Sequence, residues 1–182
     1  NKSTGLVLMP NPFYQIYEGA GILAGSNPYF LNCFEDTNFQ PNFEEVDAST
    51  WTKCELLYIC TPGNPSGAAI SLETMKHLIQ LSDEHNFVIV SDECYSEIYH
   101  TESSPPPGIL QACDKLNRGS YKNCLVFNSL SKRSNLPGLR SGFVAGDAKS
   151  IENFLLYRTY HGSAMPLHHQ FVSALAWADE DH

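Results

Sequence analysis

Three short runs of unbroken apolar residues constrain this chain most: "LLYIC" at 56–60, "FVIV" at 87–90 and "CLVF" at 124–127. A strand with one wet face alternates apolar and polar residues. These runs do not alternate, so each reads as a strand buried on both faces, as in a parallel sheet covered by helices. Between the first two lies "SLETMKHLIQLSDEHN", where Leu72, Met75, Leu78 and Ile79 recur at helical spacing. Ser71 can cap that helix, and Glu73 suits the positive end of its dipole. Strand, helix and strand in that order make a βαβ crossover.

Weaker signals extend the pattern. Strands are predicted at Gly5–Met9, Pro28–Cys33, Leu56–Cys60, Phe87–Ser91, Cys124–Asn128 and Gly142–Gly146. Helices are predicted at Tyr14–Ala24 and Ile151–Tyr160, and His100 to Lys122, with its Pro105-Pro106-Pro107, reads as a long connection. The predicted class is α/β, a mostly parallel sheet flanked by helices.

The bulk composition narrows the chemistry. At 182 residues and 42% hydrophobic, the chain can bury one domain's core. Eleven basic against twenty acidic residues give a net charge of -9, which excludes the basic face of a nucleic-acid binder. No apolar run is long enough to span a membrane. Six cysteines without zinc spacing, several of them inside apolar runs, point to a reducing compartment and to no metal site. "NKSTGLVLMPNP" enters a strand-like run with neither initiator methionine nor signal peptide, and "ALAWADEDH" is helical without a stop signal. The expectation is a piece of a larger domain.

In open α/β sheets, ligands bind beyond the carboxyl ends of the strands. The segments at those ends here are "PNPFY", "TPGNPSG", "DECYSEIY" and "SLSKRS". Lys132 sits among the hydroxyls of Ser129, Ser131 and Ser134, with Arg133 and Arg140 after it. Alone it could be a solvated surface lysine. As a nucleophile it would need desolvation or a nearby cation, which Arg133 or Arg140 could supply. Arg140, between Gly138 and Gly142, could fork onto a phosphate or carboxylate, or simply complete a turn. Asp92 could hold a ligand cation or cap a loop. Asn64 lies in tandem turns, Tyr95 could be packing, and Tyr14 could be core or a lid on a flat ligand. His168 and His169 complete no metal site.

Together, "PNPFYQIY", "TPGNPSG", "SDECYSEI" and "SLSKRSNLPGLRSGF" resemble the fold-type I pyridoxal-phosphate aminotransferases of the class I/II group, in that family's order. The wording around the lysine is most similar to the succinyldiaminopimelate transaminases of bacterial lysine biosynthesis. The resemblance implies a three-layer α/β/α large domain with residues 1–182 as part of it. It also implies an N-terminal segment and a C-terminal small domain outside the chain. It implies Lys132 in a Schiff base with pyridoxal 5′-phosphate and Asp92 on the pyridine nitrogen. Asn64 and Tyr95 would meet the phenolic oxygen, Ser129, Ser131 and Arg140 the phosphate, and Tyr14 the ring face.

The implied reaction passes an amino group from an amino acid to a 2-oxo acid, in a cytoplasmic homodimer. N-succinyl-LL-2,6-diaminopimelate and 2-oxoglutarate are the expected pair, with Arg133 or Arg158 meeting the extra carboxylate. Three alternatives stay open. A β-lyase or decarboxylase could use the same residues, a truncated core could lack activity, and Ser129 with Lys132 also satisfies the S-x-x-K of β-lactamases.

Overall fold

The computed structural model describes residues 5–181. Six strands form one sheet: β1 (Leu6–Asn11), β2 (Asn27–Asn32), β3 (Cys54–Cys60), β4 (Val88–Asp92), β5 (Cys124–Ser129) and β6 (Gly142–Gly146). Their order is β2-β1-β3-β4-β5-β6, and every neighbouring pair is parallel except β5 with β6. The helices are α1 (Gln15–Leu23), α2 (Ala48–Lys53), α3 (Leu72–His85), α4 (Ile109–Lys115), α5 (Leu130–Arg133), α6 (Ala148–His161) and α7 (Leu167–Ala178). The predicted strands lie within two residues of these bounds. The stretch expected to be one long connection contains α4, whose buried side chains Ile109, Ala112 and Cys113 are too few to announce a helix by period.

Strand pleating sends alternate residues to opposite faces. Leu8, Leu57, Ile59 and Ile89 face Met75, Leu78 and Ile79 of α3 and Ile109 of α4, in one core that also takes in Trp51 of α2. Val7, Met9, Leu56, Tyr58 and Cys60 point the other way and pack with Tyr17 of α1. On that second face α6 reaches the sheet through an edge-on contact of Phe154 with Phe127, centroids 6.0 Å apart. The three layers expected from the resemblance are present.

The central crossover forms as its sequence dictates. The Ser71 hydroxyl accepts from the Thr74 amide at 3.1 Å, capping α3. Asn86 takes the left-handed conformation that ends it. Within, the buried Ser82 hydroxyl donates to the Phe87 carbonyl at 2.6 Å, so its burial leaves no polar atom unpaired.

The antiparallel β6 follows from its short connection. Residues 130–141 double back beside β5, and the Leu130 amide donates to the Ser141 carbonyl at 3.0 Å. At the end of β6, Gly146 has a φ of +133°, and any Cβ there would run into the Cys124 carbonyl. Among the described residues, no helix is long and apolar enough to cross a membrane.

Candidate active site

Four connections leave the carboxyl ends of parallel strands and converge on one cavity of about 320 Å³. Tyr14 follows β1, Asn64 follows β3, Asp92 ends β4 with Tyr95 beyond it, and Ser129 ends β5 ahead of Ser131, Lys132 and Arg140. The eight residues to which the resemblance gave roles all line this cavity, joined by Cys94 and Pro137. Its volume suits a small ligand, for which about 300–1,000 Å³ is usual.

The lysine is presented by a single turn of helix. In α5, Leu130 and Arg133 are both buried. Residues three apart share a helix side, so Ser131 and Lys132 are left to the cavity. Ser129 starts the turn, its hydroxyl accepting from the Ser131 amide at 3.1 Å. The two hydroxyls lie 2.9 Å apart. The Lys132 ammonium stands over the Tyr95 ring, 5.5 Å from its centroid, a cation–π arrangement. The Asn128 side-chain amide meanwhile donates to Ser96 Oγ at 3.3 Å, tying the end of β5 to the loop that carries Tyr95.

Asp92 is held by two donors. The Tyr17 hydroxyl donates to Oδ2 at 2.6 Å and the Cys94 amide to Oδ1 at 3.2 Å. The shorter bond has the length of a charge-assisted one. Burial first, and then the Asp92 charge, push the Tyr17 phenol far above its ordinary range, so it stays a donor. Its ring stacks on Tyr58 at 4.5 Å, which fixes the donor's direction. Sequence reasoning missed Tyr17, although it lies only three residues after Tyr14, at the start of α1. It also missed Cys94, whose thiol is pushed upward by burial and then by Asp92. Beneath the loop, the buried Glu93 accepts from the Ile109 amide and the Ser91 hydroxyl, both at 2.8 Å, pinning α4 under the site.

Arg140 lines the cavity with a left-handed φ of 52°. That conformation costs a non-glycine residue about 1 kcal/mol, and such strain collects at ligand sites. One of its guanidinium nitrogens donates to the Pro137 carbonyl at 2.8 Å.

One arginine expectation is overturned. Arg133 neither faces the cavity nor offers a free cation beside Lys132: its buried guanidinium pairs with Glu97 at 3.0 Å and Glu180 at 2.8 Å. Arg158 lies on α6 and does not line the cavity.

Comparison with known proteins gives the family. The model of the family described as aminotransferase class I and II matches residues 2–178. The LL-diaminopimelate aminotransferase of Aquifex aeolicus is 36% identical over 146 residues, covering 80% of this chain and 36% of that protein. A crystal structure of an aminotransferase from Neisseria meningitidis superposes with a TM-score of 0.92 at 50% identity, over 98% of this chain and 45% of that one. The aminotransferase AspB of Helicobacter pylori gives 0.91 at 38% identity, over 98% and 46%. The chain thus spans well under two thirds of the relatives it matches.

Proposed function

The chain belongs to the class I and II aminotransferases, and we propose that it is the cofactor-binding part of an enzyme that moves amino groups from amino acids to 2-oxo acids with pyridoxal 5′-phosphate. One observation carries the reading. Eight residues from four separate stretches bring an amine, a doubly held carboxylate, a pair of hydroxyls and a guanidinium to one cavity. That donor set fits the group: an amine for its aldehyde, an anion for its ring nitrogen, and hydroxyls with a guanidinium for its phosphate.

When bound, the cofactor supplies an electron sink for negative charge at the substrate Cα. The chain's residues do the rest. Lys132 Nζ would hold the aldehyde and would be the base that takes up the Cα proton and returns it. Asp92, aimed by the Tyr17 hydroxyl and the Cys94 amide, would hold a proton on the ring nitrogen. Ser129, Ser131 and Arg140 would bind the phosphate, Asn64 and Tyr95 would meet the phenolic oxygen, and Tyr14 would cover the ring face.

The names of the curated relatives favour an amino donor of the diaminopimelate kind and a place in lysine biosynthesis. N-succinyl-LL-2,6-diaminopimelate with 2-oxoglutarate is the finer proposal, and family membership favours amino transfer over β-elimination or decarboxylation. A cytoplasmic homodimer of the longer protein belongs to the same reading, as do cysteines that all stand as free thiols.

The test is direct. Pyridoxal phosphate is added to the 182-residue chain, the mixture is reduced with borohydride, and the adduct is located by mass spectrometry. The expected result is one adduct at Lys132, absent from Lys132→Ala. Labelling concentrated at another lysine would sink the reading.

A further inference from the structure

Arg133 stands next to the lysine in sequence but turns into the protein, with a side chain only 4% exposed. Its Nε donates to Glu97 at 3.0 Å, in the loop that carries Tyr95. Its Nη1 donates to the Ala176 carbonyl at 2.9 Å and to Ser134 Oγ at 3.2 Å. Its Nη2 donates to the Asp179 carbonyl at 3.1 Å and to Glu180 at 2.8 Å. Carbonyls in a helix's last turn have no partner within the helix. Here one guanidinium supplies one of them, Ala176 of α7, and the Asp179 carbonyl just beyond the helix.

Trp177 completes the joint. Its ring lies 5.5 Å from the Arg133 guanidinium, and its indole N–H donates to Ser141 Oγ at 3.3 Å. Phe143 meets it edge-on at 5.1 Å. Along the rest of α7, Leu167, Phe171 and Leu175 are exposed. The helix is therefore docked chiefly by its last turn, against the connection that presents Lys132 and Arg140.

We propose that Arg133 is a positioning residue for Lys132: its fork locks the one-turn helix α5 to the Tyr95–Glu97 loop and to the end of α7, so that the lysine's aim depends on α7 being docked. The part of this that concerns Lys132 rests on the proposed function, while the lock stands on the geometry alone. Five donors in a rigid plane are what let one side chain serve three segments, and an ammonium cannot reproduce the fork. The carboxylates are the lesser partners, since Glu97 and Glu180 are 49% and 78% exposed and surface pairs add little. Losing Arg133 instead removes its bonds to the Ala176 and Asp179 carbonyls, a local injury rather than a global one.

Amide hydrogen exchange on the 182-residue chain tests the lock without any ligand. In Arg133→Met, exchange across 130–136 and 167–178 should rise about tenfold or more, with 54–92 unchanged. Arg133→Lys should behave nearly as badly, because it keeps the charge and loses the fork. The pyridoxal phosphate concentration giving half-maximal reducible adduct at Lys132 should rise about tenfold in both variants. Unchanged exchange at 130–136, a uniform rise over the whole chain, or full rescue by Arg133→Lys would overturn the proposal. A wild-type chain that forms no Lys132 adduct would sink the proposed function instead, and exchange of the lysine turn would still decide the lock.

Discussion

The side of the molecule built on α3 and the side built on α6 and α7 are held together in opposite ways. Under α3, Met75, Leu78, Ile79, Leu57, Ile59 and Ile89 are completely buried, and the attachment is distributed over area. On α6 and α7, Leu155, Leu156, Tyr160, Phe171 and Leu175 are each more than half exposed. Those helices hang on a few directional contacts: the Phe127–Phe154 pair, the Arg133 fork and the Trp177 indole. The candidate site straddles the border. Asp92 and Asn64 follow strands of the well-packed side, whereas Lys132 and Arg140 come from the connection on which α7 rests. One half of the site draws its precision from packing density, the other from hydrogen bonds.

The largest effect should come from the packed side. Leu78→Ala removes a fully buried side chain between α3 and the sheet, and buried leucine-to-alanine changes cost about 2–5 kcal/mol because the cavity cannot collapse. Urea unfolding followed by circular dichroism should show a large fall in the midpoint with an unchanged slope. A loss below about 1 kcal/mol, well short of that range, would mean that α3 and the sheet do not share one continuous core.

The same contrast explains what the sequence disclosed. "LLYIC", "FVIV" and "CLVF" are legible as strands because burial on both faces leaves an unbroken apolar run, and α3 is legible because one face repeats. The site residues could be picked out because they lie just past strand ends, and the resemblance then gave them roles. What stayed hidden depends on distance across the fold. Nothing in the linear order says that Tyr17 reaches Asp92, 75 residues away. Nothing in "SKRS" separates an arginine that meets a ligand from one buried against residues 176–180. The helix α5 is a single turn, too short to carry a period, yet it decides which side of the segment Lys132 occupies.

A smaller effect should follow pH, again on the α3 side. Asp47 caps α2, which brings Trp51 onto Phe87 with ring centroids 5.3 Å apart. The Ser49 hydroxyl, then the Thr50 amide and hydroxyl, lower its carboxyl to about 2. Because the folded value lies below the unfolded one, the cap's contribution is complete above the unfolded pKa of about 3.9 and fades as pH falls toward the folded value. The unfolding midpoint should therefore decline over that interval, and Asp47→Asn should flatten the decline. An unaltered slope in the variant would assign the acid sensitivity to other carboxylates. The group is exposed, so the effect should fall well short of that of Leu78→Ala.

The smallest effect makes the sharpest test, because it asks an apolar residue to be dispensable. Phe171 on α7 is 69% exposed, so its removal gives up little buried area. Alanine is also the better helix former, by a few tenths of a kcal/mol, which offsets part of even that loss. Phe171→Ala should shift stability by no more than about 0.5 kcal/mol, as surface substitutions do, against several for Leu78→Ala. Dilution separates the two outcomes that matter. A small shift at every protein concentration would leave α7 as a helix attached by its last turn. A loss above about 1.5 kcal/mol, the scale of burying a whole large apolar side chain, would mean that something covers this face in solution. If that loss grew as the protein was concentrated, the cover would be a second copy of the chain, and the exposed side would turn out to be packed after all.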